Sequence, residues 1–402
     1  MEKSHLVSKK NFFSFLKMVS IDLLASINRT NVLEVSVNDA GSRILVTYLP
    51  GSPNMAELFS VVRNTITSVT TIPFVANLPG EQLLDAVPDV ENAQIAILTA
   101  VPPVVPPAKT ELYVYLLNLS GTVLAQTTLP TLIYFDANGD YHADAAFSKN
   151  GGILTIAYNT DQHEKFHLAS LAVPTLAFID DDEDNGLVFQ VVPFTMACKK
   201  SYASVIVRHP TVPAVPGSVV GTPGSTSLHV YTIPFAKYGS LSIKGAVEEV
   251  SELTLPGVNP YGISGVTLND HKTEALLAFS AYNVPSQSGI PYPIYTAIFK
   301  DDDLELTTRT TFMSEAYVVQ PLYVNCKVQF IIEANIPAAF SSLGIYKQTK
   351  NCDCVSFRPT SQVVTLPGTN LPSTVDSAPF DLNGRFITVA TDTVLQIYAI
   401  CE

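Results

Sequence analysis

Residues 379–402 read PFDLNGRFITVATDTVLQIYAICE. Asn383-Gly384 is a turn dipeptide. Two runs rich in β-branched and aromatic residues follow it, Phe386–Ala390 and residues 394–400, and that composition predicts strands. With SAPFDL (377–382) before the turn, the stretch offers three antiparallel strands. The last carries Leu395, Ile397 and Tyr398, and an open edge of that composition would template pairing with another chain. What covers this edge decides the fold.

The same grammar of turn, strand, gap and strand recurs upstream. It opens in VNDAGSRILVTYL (37–49), VENAQIAILTAV (90–101), FSKNGGILTIAYN (147–159), MACKKSYASVIVRH (196–209), LNDHKTEALLAFSAYN (268–283) and VNCKVQFIIEANI (324–336). The first core residues after the turns are Ile44, Ile95, Ile153, Tyr202, Ala275, Val328 and Phe386, separated by 51, 58, 49, 73, 53 and 58 positions. The long step contains HPTVPAVPGSVVGTPGSTS (209–227), a Pro/Gly/Ser insertion that lengthens a loop without disturbing a core. The second strand of each unit is almost continuously apolar, as expected of a strand covered on both faces. In the third, TELYVYLLNL (110–119), Leu112, Val114 and Leu116 alternate with Tyr113, Tyr115 and Leu117. The seventh unit lacks a fourth strand. KMVSIDLLASI (17–27), in which Val19, Ile21 and Leu23 alternate with Ser20 and Asp22, is a spare one. Residues 17–25 are expected to pair with residues 394–400 and leave no open edge.

A repeat of about 50 residues with several strands in each is the period of a propeller blade. The chain thus resembles the seven-bladed β-propellers, WD40-like in the broad sense, over residues 15–402, with residues 1–14 as an N-terminal tail. The resemblance is of pattern. Trp is absent, so there is no Trp-Asp signature, and the only Kelch-like double glycine is Gly151-Gly152. The competing fold is a jelly-roll-type β-sandwich, which shares the Val/Thr/Pro-rich strands and long loops but does not require seven spaced units.

The chain of 402 residues is 47% hydrophobic and 15% charged, with a formal net charge of −13. A packed core follows, and an acidic molecule with only thin basic clusters (Lys9-Lys10, Lys199-Lys200, Lys347/Lys350) is a poor partner for nucleic acid. No run reaches the roughly 18 apolar residues of a spanning helix. Lys17 and Asp22 break the N-terminal apolar stretch before it forms a signal peptide. The expected location is the cytoplasm or a viral particle. The five cysteines, Cys198, Cys326, Cys352, Cys354 and Cys401, are odd in number and scattered, which reads as reduced thiols.

The most specific candidate site is FDANGDYHAD (135–144). Asp136, Asn138, Asp140 and Asp144 fall at positions 1, 3, 5 and 9 of a loop, where oxygens can converge on Ca²⁺. It resembles the calcium loops of integrin-type propeller repeats, with Tyr141 where those carry Gly and Gly139 to make the turn. An Asx-type turn between strands is the simpler reading. The acidic run Asp180–Asp184 reads as a solvated hairpin loop, since consecutive charges cannot converge on one ion. His163 and His167 have metal spacing only on a helix, and their surroundings read as strand-turn-strand. AVPPVVPPAKTEL (100–112) and residues 209–227 are Pro-stiffened loops suited to contact. No nucleophile elbow, phosphate loop or dinucleotide fingerprint is present. The reading that results is a non-catalytic protein–protein interaction scaffold. It would be a structural component of a multi-subunit assembly, a viral particle among the settings it suits. The alternative is a propeller-type hydrolase or lyase with a structural or catalytic Ca²⁺.

Overall fold

The computed structural model describes residues 20–148, 150–161, 165–195, 201–209, 225–233, 247–256, 258–260, 265–268, 274–283, 293–300, 303–311, 315–324, 327–336, 340–351, 354–359, 361, 363–366, 380–383, 385–391 and 393–401. The expected tail, the centre of the second Pro-rich insertion, Cys198, Cys326, Cys352 and His163 lie outside them.

Every regular element among the described residues is a strand. The chain opens with β1 (Ser20–Asn28). A first sheet follows, of β2 (Val32–Val37), β3 (Arg43–Tyr48), β4 (Ala56–Val62) and β5 (Thr65–Ile72). The second contains β6 (Gln82–Asp89), β7 (Gln94–Ala100), β9 (Leu112–Asn118) and β10 (Val123–Thr128). A two-stranded ribbon, β8 (Ala108–Thr110) with β11 (Ile133–Phe135), ties together two of its loops. The third is β12 (Ala143–Phe147), β13 (Ile153–Asn159), β14 (Phe166–Ala172) and β15 (Ala177–Asp184). The fourth is β16 (Leu187–Thr195), β17 (Ser201–His209), β18 (Ser225–Ile233) and β19 (Glu248–Pro256). The fifth is β20 (Val258–Pro260), β21 (Gly265–Leu268), β22 (Glu274–Asn283), β23 (Pro293–Lys300) and β24 (Asp303–Thr311). The sixth is β25 (Glu315–Val324), β26 (Lys327–Ile336), β27 (Phe340–Asn351), β28 (Cys354–Pro359) and β29 (Val364–Thr365). The last is β30 (Phe380–Asn383), β31 (Phe386–Ala390) and β32 (Val394–Cys401), with β1 on its outer edge in the order β1-β32-β31-β30.

The seven residues picked out as first core positions each lie at the start of β3, β7, β13, β17, β22, β26 and β31, the second strand of each sheet, with β20 and β21 together in the place of a first strand beside β22. Every residue of β7 and β13 is buried, because sheets stack on both sides of them. One hydrophobic cluster joins the last sheet to the first through Leu395, Ile397, Ile44 and Val46. Others join the first to the second and the second to the third. A further cluster packs β13 and β14 on the fourth sheet. Phe194 and Tyr202 of the fourth sheet meet Phe299 of the fifth at ring-centroid distances of 5.7 and 5.3 Å. Leu343 and Ile345 of the sixth pack on Ile387 and Val389 of the last. First strands pack on first strands, β30 on β2, then β6, β12, β16, β21 and β25 in turn. These are the innermost strands of the fold.

β1 lies antiparallel to β32, with Ser20 opposite Cys401 and Asn28 opposite Val394. The strand runs three residues past the expected end at 25, and residues 17–19 lie outside the described residues. Its alternation also breaks: Ile21 and Ala25 are buried, whereas Leu23 is 51% exposed. The ladder shifts between Leu23 and Ala25, and an irregularity of this kind turns the next side chain to the other face. β9 differs too. Val114, Tyr115, Leu116 and Leu117 are all buried, so the third strand is covered on both faces here. Gly41 closes the β2–β3 turn at φ +62, and a Cβ there would stand 2.5 Å from the Phe386 ring of the last sheet. Only glycine allows both the left-handed backbone and that approach.

Candidate functional site

Four innermost strands each carry an acid between apolar neighbours: Glu34 on β2, Asp85 on β6, Asp144 on β12 and Asp381 on β30. The ladders of β2 and β6 are irregular just before Glu34 and Asp85, which re-aims those side chains. Two of the acids also fasten neighbouring sheets. Asp381 Oδ2 accepts the Val37 N–H at 2.6 Å, and Asp144 Oδ2 accepts the Val191 N–H at 2.6 Å. Asp85 Oδ1 accepts the Ala86 N–H at 2.8 Å, and the Ala145 N–H of the next sheet also acts on this carboxyl. Carboxylate oxygens of Glu34, Asp85 and Asp144 lie within 4.8 Å of one another. Burial and then the charges of Asp85, Asp144 and Asp381 push the Glu34 carboxyl well above its usual range. Burial followed by Asp85 does the same to Asp144, and burial pushes Asp85 up to about 6.

The four oxygens expected to converge in residues 136–144 are divided by the structure. Asp136 Oδ1 accepts the N–H groups of Asn138 and Asp140 at 2.8 and 2.9 Å, and Gly139 takes φ +86. This is an Asx turn. The Asp140 N–H first and then that of Asn138 hold the Asp136 carboxyl below its usual range. Asp144 sits beyond the turn on β12, in the central cluster. Tyr141, in the place of the family's glycine, is half-buried against Phe135 and donates to the Leu84 carbonyl at 2.9 Å.

The acidic run is not a loop. Residues 180–184 belong to β15, and the pleat sends their side chains in two directions. Asp180 and Asp182 accept the Val247 and Glu249 N–H groups at 3.0 and 3.1 Å. Asp184 Oδ2 is 3.1 Å from His229 Nδ1. On the other face Glu183 pairs with Lys165 and His167, and Asp181 Oδ2 is 3.4 Å from His167 Nδ1. A run of like charge survives in a strand because each neighbouring strand supplies donors to one parity. His167, expected to lie in strand-turn-strand surroundings, is on β14 in this network. Cys401 is a free, exposed thiol.

Antiparallel order puts the loops that enter each sheet on the same side as those between its second and third strands. That side of the first two sheets is apolar at the surface. Val75 and Leu78 are 68% and 37% exposed in the loop between β5 and β6. Val104 and Val105, at the tip of the Pro-rich loop before β8, are 99% and 77% exposed, and Leu132 follows β10 at 41%. These loops are held in place. Glu81 accepts the N–H groups of Asn77 and Leu78 at 2.6 and 2.9 Å and the Tyr115 hydroxyl at 2.9 Å. The β8–β11 ribbon anchors the base of the Pro-rich loop. A cleft of about 420 Å³ opens beside them, between residues 50–54 and Phe74. On the same side, Arg29 forms a bidentate pair with Glu57 at 2.9 and 2.8 Å, with Tyr48 donating to the same carboxylate at 2.6 Å.

Side-by-side antiparallel sheets of four or five strands, packed on one another through their first strands, define a β-propeller. No protein-family model matches the sequence, and no curated protein matches it. Among solved structures, U3-55K superposes with a TM-score of 0.50 at 10% identity, covering 94% of this chain and 98% of that one. The Dos1 propeller gives 0.46 at 8% identity, covering 94% and 95%. BBS1N, solved in complex with ARL6DN, gives 0.47 at 10% identity, covering 95% and 96%. These are β-propeller structures. At 10% identity the likeness to U3-55K bears on the fold alone, and together with the sheet order it sets the jelly-roll alternative aside.

Of the central acids the sequence singles out only Asp144, as a loop residue, whereas it lies on β12. Their signal is an acid between apolar residues in the first strand of a unit, as in LEV, LDA, ADA and FDL. Val104 and Val105 are legible as part of AVPPVVPPAKTEL, whereas Val75 and Leu78 are not singled out by any pattern.

Proposed function

We propose that the chain is a seven-bladed propeller closed by β1 and that it works as a non-catalytic protein-interaction scaffold within a larger assembly. The observation that carries this reading is the grouping of Val75, Leu78, Val104, Val105 and Leu132 on one side of the first two sheets. Exposed apolar groups that cluster in pinned loops mark a contact surface, whereas isolated ones are ordinary. Pinning by Glu81 and by the β8–β11 ribbon lowers the ordering cost of binding. The partner is a protein with an apolar surface; the acidic charge of this chain disfavours nucleic acid.

The test is native affinity purification of the full chain with cross-linking and mass spectrometry, repeated on two variants. A partner that stays with Val69→Asp, on the outer strand β5, and leaves with Val104→Asp/Val105→Asp supports the reading. A lone monomer, or a partner indifferent to the loop variant, contradicts it.

A further inference from the structure

Glu34, Asp85 and Asp144 meet where the first strands of three sheets pack together. Asp85 is 7% exposed, and its Oδ2 is buried without a hydrogen-bond partner. A buried carboxylate oxygen with no hydrogen bond of its own carries a desolvation cost that a bound cation would offset. Asp85 also belongs, with Glu34 and Asp144, to a group in which one carboxylate oxygen from each residue lies within 4.8 Å of the others. A triangle with no side above 4.8 Å has a point within about 2.8 Å of all three corners. Small side-chain adjustments bring that to the roughly 2.3–2.6 Å of Ca²⁺–oxygen bonds. Among the described residues, no cation is among the groups that act on the three carboxyls. Asp381 adds a fourth negative charge to the field at Glu34.

We propose that Glu34, Asp85 and Asp144 bind a divalent cation, Ca²⁺ by preference, between the innermost strands of the first three sheets. The donor set decides the metal class. Three carboxylates with no nitrogen or sulfur suit a hard cation and disfavour Zn²⁺. Asp85 supplies its unpaired oxygen. Glu34 and Asp144 are half-buried, which leaves the ion a path from solvent and room for water ligands to complete its shell. Each carboxylate comes from a different sheet, so the bound ion would replace repulsion between three sheets by a common attraction. This proposal rests on the central acids and not on the loop face, so it stands or falls apart from the scaffold reading.

The experiment is calorimetric titration of Ca²⁺ into chelator-treated full-length protein, with melting temperature followed in parallel. One equivalent should bind, and the melting temperature should rise with Ca²⁺ concentration because the ion binds the native state. Asp85→Asn keeps the shape and removes the charge, and should weaken binding at least about tenfold. Glu34→Gln, at a position less buried than Asp85, should do the same while circular dichroism stays native. Asp136→Asn, in the Asx turn, should bind as the parent does. Absence of stoichiometric binding would overturn the proposal. So would binding that survives both Asp85→Asn and Glu34→Gln, or binding that is lost in Asp136→Asn alone.

Discussion

His229 on β18 is 2% exposed, yet it is held as a cation. Burial favours the neutral ring, but Asp184 at 3.1 Å and Glu249 at 3.4 Å outweigh it and push the imidazole up to about 9. The same pairing, against the opposing effect of its own partial burial, holds the Asp184 carboxyl well below its usual range. The folded-state value lies above the unfolded 6.5. The His229 contribution to stability is therefore fully present below about pH 6.5 and is lost as pH rises through 9. Melting temperature should fall across that window, and His229→Gln should flatten the dependence while costing on the order of 2 kcal/mol at pH 6, since its partly buried carboxylates lose their cation. Thermal melts at half-unit pH steps check both. A second residue-scale prediction concerns Gly41. Gly41→Ala combines a left-handed backbone with a Cβ 2.5 Å from the Phe386 ring, and should destabilise by about 1–3 kcal/mol in chemical denaturation.

At the scale of the element, β1 is the strand with the most to lose. Ile21 packs with Leu343 and Ile345 of the sixth sheet and with Ile387, Val389 and Tyr398 of the last. Arg29, just past its end, is locked to Glu57 of the first sheet. The strand thus reaches three sheets. Removal of residues 1–10 should leave the melting temperature unchanged. Removal of residues 1–28 should expose the β32 edge and make the protein aggregate, as light scattering would record. Ile21→Ala should cost about 2–5 kcal/mol, the usual range for emptying a buried aliphatic site. Strands of this kind were legible in the sequence wherever burial is two-sided. Ile44, Ile95 and Ile153 mark runs so apolar that no other reading competes. The register of β1 was not legible, because the irregularity at Leu23 depends on what β32 presents. Nor was β15: DDDED reads as loop until His167, Lys165 and the N–H groups of Val247 and Glu249 are brought alongside from distant segments.

At the scale of the whole molecule, the repeat period spoke for the propeller and the structure bears out that fold class. The central acids escaped notice because a lone acid in an apolar strand means little until adjacent sheets bring three of them together. The proposed closure of the ring by β1 is the claim on which the rest hangs, since it would set the relation between the last sheet and the first. Ser20 lies opposite Cys401 in the β1–β32 ladder, and their side chains interact. A directly opposed antiparallel pair has the Cα separation a disulfide accepts. The decisive measurement is therefore to make Ser20→Cys, oxidise the protein, and map its disulfides by mass spectrometry under non-reducing conditions. The account predicts an intramolecular bond between position 20 and Cys401 in a monomer that melts at higher temperature than its reduced form. Free thiols at both positions, or disulfides only between molecules, would contradict it.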